Sequence, residues 1–141
     1  MKRFIEPEVA GGLGKGTIGN FKTHPPIVEK LNYEFFGWMG NDIIESFPCF
    51  IVTERLKNKI WDEKLSGITF DDVLITKSQE FFTRYTSEEL PKFYWAKING
   101  VFGLDDFAIG NDLRLTISEK AYEVIRLFNV NYATFEEIEE G

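Results

Sequence analysis

The chain is poor in the residues that most often do chemistry. Its 141 residues include one cysteine, Cys49, and one histidine, His24. A lone cysteine excludes an internal disulfide, which fits a reducing compartment such as the cytoplasm. Two such ligands are too few for a closed zinc site. A Cys–His nucleophile pair would require His24 to meet Cys49. His24 precedes two prolines, whereas Cys49 opens an apolar run in which cysteine behaves as a small hydrophobe. No run of 18 apolar residues is present, so no membrane span is expected. The start, Met-Lys-Arg-Phe-Ile-Glu-Pro-Glu, breaks into charge and proline too early for a secretory signal. The 16 basic residues form no cluster and the formal net charge is -7. That balance repels phosphate and disfavours nucleic acid as a partner.

Aromatic residues are plentiful, at 16% with 14 Phe and 3 Trp, enough to build a core. The length suits one domain, residues 1–141. Residues 1–30 hold five of the 12 glycines and three of the five prolines. They are expected to wrap over the body, with residues 11–19 as a loop or irregular extended segment. This segment carries five basic and three acidic side chains, leaving 11 basic and 20 acidic, or -9, for the rest. An acidic body attracts a basic partner and also keeps a protein in solution.

A segment of the chain recurs. Residues 51–73 align without a gap on residues 116–138, at an offset of 65. Thr53-Glu54-Arg55 falls on Ser118-Glu119-Lys120, and Thr69-Phe70-Asp71-Asp72-Val73 on Thr134-Phe135-Glu136-Glu137-Ile138. Each copy reads as strand–helix–strand, near residues 49–75 and 113–138. Thr53 and Ser118 are expected N-caps. Leu56 and Ile60 share one helical face, as do Ala121, Val124, Ile125 and Phe128. Gly67 is expected to close the first helix in a left-handed turn. Residues 68–75 read as one strand, and Leu113, Leu115 and Ile117 alternate as a half-buried strand. Residues 131–138 return as a strand or extended segment.

Elsewhere, residues 31–38 and 92–98 are strand-like. Asn99-Gly100 signals a hairpin that would pair Val101-Phe102 back on its predecessor. Residues 77–85 suit a short helix with Phe81, Phe82 and Tyr85 inward. The predicted class is α+β: a mixed or antiparallel sheet with a few packed helices.

No motif carries obvious chemistry. Residues 14–19, Gly-Lys-Gly-Thr-Ile-Gly, match GxGxxG, but two following prolines block the helix that a dinucleotide site needs. No cofactor or metal is expected. The pairs Asp71-Asp72, Asp105-Asp106 and Glu136-Glu137 are candidate carboxylate sites, yet neighbours in a strand point to opposite faces. Asp105-Asp106 beside Gly103 reads as turn chemistry. Trp38, with Tyr33, Phe35 and Phe36, suits core, a ligand pocket or a partner surface.

Several phrases together carry a resemblance. They are Gly37-Trp38-Met39-Gly40-Asn41-Asp42, then Glu45-Ser46-Phe47-Pro48-Cys49-Phe50-Ile51-Val52-Thr53-Glu54. Leu90-Pro91, Asp105-Asp106-Phe107 and Leu115-Thr116-Ile117-Ser118-Glu119-Lys120-Ala121 complete the set. The chain resembles a family of small bacterial proteins similar to the immunity proteins of polymorphic-toxin systems. The resemblance implies a cytoplasmic protein that binds and neutralises a cognate toxin, and it transfers no functional residue. With the acidic body, it makes Asp105, Asp106, Glu136, Glu137, Glu139 and Glu140 the candidate contacts for a basic partner such as a toxin domain. The alternative is a small-ligand protein or carboxylate enzyme with a pocket near Trp38 and Asp42. Self-association through surplus aromatic surface is a third possibility.

Overall fold

The computed structural model describes residues 2–84 and 90–139. In chain order its elements are β1 (Arg3–Glu6), β2 (Gly11–Leu13), β3 (Ile18–Asn20), β4 (Ile27–Lys30), β5 (Asn32–Phe35), β6 (Ile43–Ser46), β7 (Cys49–Thr53) and α1 (Glu54–Asp62). There follow β8 (Ile68–Asp71), β9 (Leu74–Lys77), α2 (Gln79–Arg84), β10 (Phe93–Ile98), β11 (Phe107–Ile109), β12 (Leu115–Ile117), α3 (Glu119–Ile125) and β13 (Thr134–Glu137). The class is α+β with both antiparallel and mixed sheets.

Two four-stranded antiparallel sheets carry the fold, in orders β6-β7-β10-β8 and β11-β12-β1-β13. A smaller sheet, β2-β5-β9, contains the parallel pair β5–β9, and β3 and β4 form a separate hairpin arm. The strand β7 is buried at every residue because both of its faces are covered. Phe50 and Val52 enter a cluster with Leu56, Ile60, Ile117, Ala121 and Ile125, beneath helices α1 and α3. Cys49 and Ile51 point the other way, into a cluster with Tyr33, Phe35, Phe81 and Trp95. Period-two alternation thus serves two cores at once, which is why the sequence there is apolar throughout.

The two strand–helix–strand stretches share a pairing pattern. In each, a strand from elsewhere lies antiparallel between the two arms. Trp95 of β10 faces Ile51 and Asp71. Phe4 of β1 faces Thr116 and Glu136. Ile51 and Thr116 differ by 65 positions, as do Asp71 and Glu136. Both caps form: the Thr53 hydroxyl accepts from the Leu56 amide at 3.5 Å and the Ser118 hydroxyl from the Ala121 amide at 3.1 Å.

Several expectations are corrected. The residue that closes α1 is Lys64, at φ 54°, not Gly67. The Lys64 amide donates to the Trp61 carbonyl and the Leu65 amide to the Ile60 carbonyl, the pair of bonds of a Schellman motif. Gly67, at φ 85°, instead packs against Gly100, where a Cβ on either residue would strike the Phe107 carbonyl. That contact explains the missing hairpin: the Asn99 and Gly100 amides both donate to the Gly67 carbonyl, and Val101-Phe102 pairs with no strand. Residues 68–75 form parts of two strands in two sheets, with the break at Asp72-Val73. Leu113 leaves strand geometry at φ 68°, and Thr116, expected outward, is buried with its hydroxyl donating to the Ala108 carbonyl. Helix α3 ends at Ile125, so Phe128 packs from the following turn. Phe82 is exposed while Phe81 is buried, and Tyr85 lies outside the described residues. The first 30 residues wrap as ordered strands: β1 is interior to its sheet, and residues 11–13 form β2 rather than a loop.

The GxGxxG glycines have a packing role. Buried Asn32 accepts from the Gly16 amide and donates to the Leu74 carbonyl and the Thr76 hydroxyl. A Cβ on Gly14 would lie 2.1 Å from its Oδ1. No helix among the described residues is long and apolar enough to cross a membrane.

Candidate functional site

Five of the six candidate contacts lie among the described residues, in two groups at opposite edges of one sheet. Phe107, Ile117, Arg3 and Glu137 form a row across β11, β12, β1 and β13. Three strand spacings, roughly 14 Å, separate its ends. Asp105 and Asp106 precede β11; Glu136 and Glu137 belong to β13, and Glu139 follows it exposed. Glu140 lies outside the described residues.

Asp106 has a structural job. Its carboxylate accepts from the Ser118 hydroxyl, the N-cap of α3, and from the Ser66 amide at 2.9 Å. Burial opposes its charge, but these hydrogen bonds together prevail and hold the carboxyl below its usual range. Asp42 repeats the arrangement. It accepts from the Thr53 hydroxyl at 2.6 Å, from the Asn129 amide at 2.8 Å and from Arg55 in a two-pronged ion pair. Burial again opposes the charge, and Arg55, Thr53 and Asn129 outweigh it, so Asp42 too is held low. Each aspartate ties its own helix cap to the turn that follows the other helix. Asp42 is 1% exposed and does not line the depression beside Trp38. That depression, about 290 Å³, is bordered by Glu8, Val9, Phe36 and Met39.

Asp105 shapes the surface. Its carboxylate accepts from the Val101 amide at 2.7 Å, and the Val101 carbonyl accepts from the Leu104 and Asp105 amides. Gly103, at φ 90°, completes the bend. The loop so closed holds Val101, Phe102 and Leu104 in solvent, Leu104 at 82%. The Lys2 ammonium lies 5.9 Å from the Phe102 ring, and the Lys2 carbonyl accepts from the Ile138 amide at 3.0 Å. Lys2 therefore links the apolar loop to the acidic end of β13.

Arginines on both faces of the sheet set the β13 carboxylates. Arg114 binds Glu136 at 2.7 Å and Asp112 at 2.6 Å, with its guanidinium 3.7 Å from the Phe4 ring centroid. Arg3 binds Glu119 and lies 3.7 Å from Glu137, over the Tyr122 ring. Four carboxylates on two guanidiniums leave the set at -2, and Glu6 and Glu139 extend it.

Among the other titratable groups, Cys49 is closed off. Burial pushes the Cys49 thiol up to about 12, so no thiolate exists at neutral pH. His24 sits exposed on the arm, its ring 6.1 Å from that of Phe47. Glu45 is pushed up to about 7 by burial and then by Glu6. Among the described residues no group of three or more His, Cys, Asp or Glu is placed to hold a metal ion.

Sequence reasoning missed the Asp42 and Asp106 clasps, although a signal was present. Each aspartate precedes its N-cap by eleven or twelve residues, and the two lie 64 apart, close to the repeat offset. The Arg114–Glu136 pair and the contacts of Arg3 with Glu119 and Glu137 had no local signal, because these partners are distant in sequence. No protein family, curated protein or solved structure matches this chain.

Proposed function

We propose that this chain is a protein-binding module of the immunity type, which neutralises a basic toxin domain by stoichiometric occlusion rather than by catalysis. One observation carries the reading: an internally hydrogen-bonded apolar loop, Val101-Phe102-Gly103-Leu104, stands in solvent and is joined through Lys2 to an acidic strand end. Exposed aromatic and aliphatic anchors beside a charged rim are the usual anatomy of a protein interface. The loop supplies the desolvated contact. Glu136, Glu137 and Glu139 supply the long-range attraction, which speeds encounter with a basic surface. Asp105 acts by holding the loop, and Asp106 by fixing the elements behind it. The setting we propose is the bacterial cytoplasm.

We also infer that the segments β7–α1–β8 and β12–α3–β13 are two copies of one unit. Three features support this: the shared 65-residue offset in sequence and pairing, the paired N-caps, and the Asp42 and Asp106 clasps.

The test first recovers a partner from bacterial lysate on the tagged chain and purifies it. Its affinity is measured by calorimetry at about 50 and 300 mM salt, and bacterial growth is followed with and without this chain. The expected result is a basic partner that arrests growth alone, bound about tenfold or more weakly at high salt. Leu104→Asp should weaken binding about a hundredfold, the loss of an apolar anchor. A harmless partner would remove the immunity reading. Binding indifferent to both salt and Leu104→Asp would remove the proposed surface.

A further inference from the structure

A cleft of about 390 Å³ separates the β3–β4 arm from the two large sheets, and none of the carboxylates just described lines it. Its size suits a small ligand. Pro25 of the arm, Phe47, Phe50, Trp95, Ile109 and Leu113 are among the residues that line it. The arm pairs with no other strand among the described residues, and its Pro25, Pro26 and Val28 line one side of the cleft.

Two independent observations point to a ligand. The first is chemical. Among the described residues that line the cleft, Lys97 alone is charged, and its ammonium is already bound to Asp71 at 2.9 Å and lies over the Trp95 ring. A charged guest would lose its hydration with no counter-charge to receive it. Aromatic and proline faces favour a flat apolar one.

The second is conformational. Leu113 is held at φ 68°, a region that glycine and asparagine tolerate and leucine rarely enters. A turn locks it there: the Leu113 amide donates to the Gly110 carbonyl and the Gly110 amide to the Arg114 carbonyl, both at 2.9 Å. The strain does not serve the core, since Leu113 belongs to neither buried cluster. Its side chain lines the cleft. Backbone strain retained where it places a side chain on a cavity wall is a mark of a functional site.

We propose that this cleft binds an uncharged, planar aromatic small molecule of one or two rings, seated on Trp95 and enclosed by Phe47 and Leu113. The inference stands apart from the toxin-binding reading and rests on none of its residues.

The full chain is titrated with indole and with 2-naphthol, and with 2-naphthoate as the charged counterpart, by two-dimensional NMR. The expected result is one saturable site, with shifts confined to the cleft and 2-naphthol bound about tenfold or more tightly than 2-naphthoate. Leu113→Gly removes the strain and the wall together. It should leave the melting temperature equal or higher and weaken 2-naphthol by about fivefold or more. A structural role alone would not split these two readouts in that way. Ile109→Trp fills the cleft from a second lining position of the same hairpin and should abolish binding, whether or not Leu113→Gly folds. Absence of saturable shifts, equal affinity for the naphthoate, or unchanged binding in the Ile109→Trp protein would overturn the proposal.

Discussion

At the scale of single residues, carboxylates are used in two opposite ways. Asp42 and Asp106 are stabilised as anions by the groups they join. Their contribution is complete above the unfolded aspartate pKa and is lost as pH falls through the depressed folded values. Glu45 behaves in reverse. Its folded pKa of about 7 exceeds the unfolded value, so the folded state binds more protons and stability declines as pH rises between the two. The Tyr33 hydroxyl donates to the Glu45 carbonyl, and the Glu45 amide donates to the Glu8 carbonyl. That backbone anchoring keeps the side chain in place despite the cost of its charge. Urea unfolding should therefore show greatest stability near about pH 5, with a loss on the order of 2 kcal/mol by pH 8. Glu45→Gln should flatten the alkaline limb and leave the acid limb unchanged. An alkaline limb that survives this substitution would remove Glu45 as its cause.

At the scale of elements, helix boundaries follow local chemistry at their starts and tertiary demands at their ends. Thr53 and Ser118 cap as their type predicts, because the cap bond reaches only three residues along the chain. The end of α1 falls on Lys64 because Leu65 must turn back into the core beside Ile60. A lysine in the left-handed region costs about 1 kcal/mol relative to glycine, less the extra freedom glycine has when unfolded. Lys64→Gly should raise stability by up to about 1 kcal/mol in denaturant titration. A loss of stability would show that the lysine side chain contributes more than its backbone costs. The Asn99-Gly100 turn illustrates the converse. Its local preference for a hairpin is overridden because Gly67 and Gly100 approach closely under the Phe107 carbonyl.

At the scale of the whole molecule, the N-terminal segment is structural. Strand β1 fills the gap between β12 and β13, and Ile5 lies 1% exposed in the main core. Deleting residues 2–6 removes an interior strand and leaves both neighbours with unpaired edges. That truncation should abolish cooperative unfolding and the near-ultraviolet circular dichroism. Replacing the arm tip, residues 21–26, by Asn-Gly should preserve both, because the arm pairs with no other sheet. A cooperative transition in the truncated protein would mean that β12 and β13 do not depend on β1.

The sequence by itself determined what is local or periodic. The α+β class, the buried run at β7, the two capped helices and their inward faces follow from side-chain spacing and cap chemistry within a few residues. The acidic surplus and the near-absence of cysteine and histidine needed only composition. Tertiary structure alone decided which strands meet. Phe4 faces Thr116, and the Asp42 carboxylate closes on the Asn129 amide, because burying both sheets beneath one pair of helices requires contacts more than 80 residues apart. The left-handed lysine and leucine, the GxGxxG glycines around Asn32 and the cleft under the arm belong to the same class. Each is set by groups brought close only after the chain has folded, and local propensity carries no record of them.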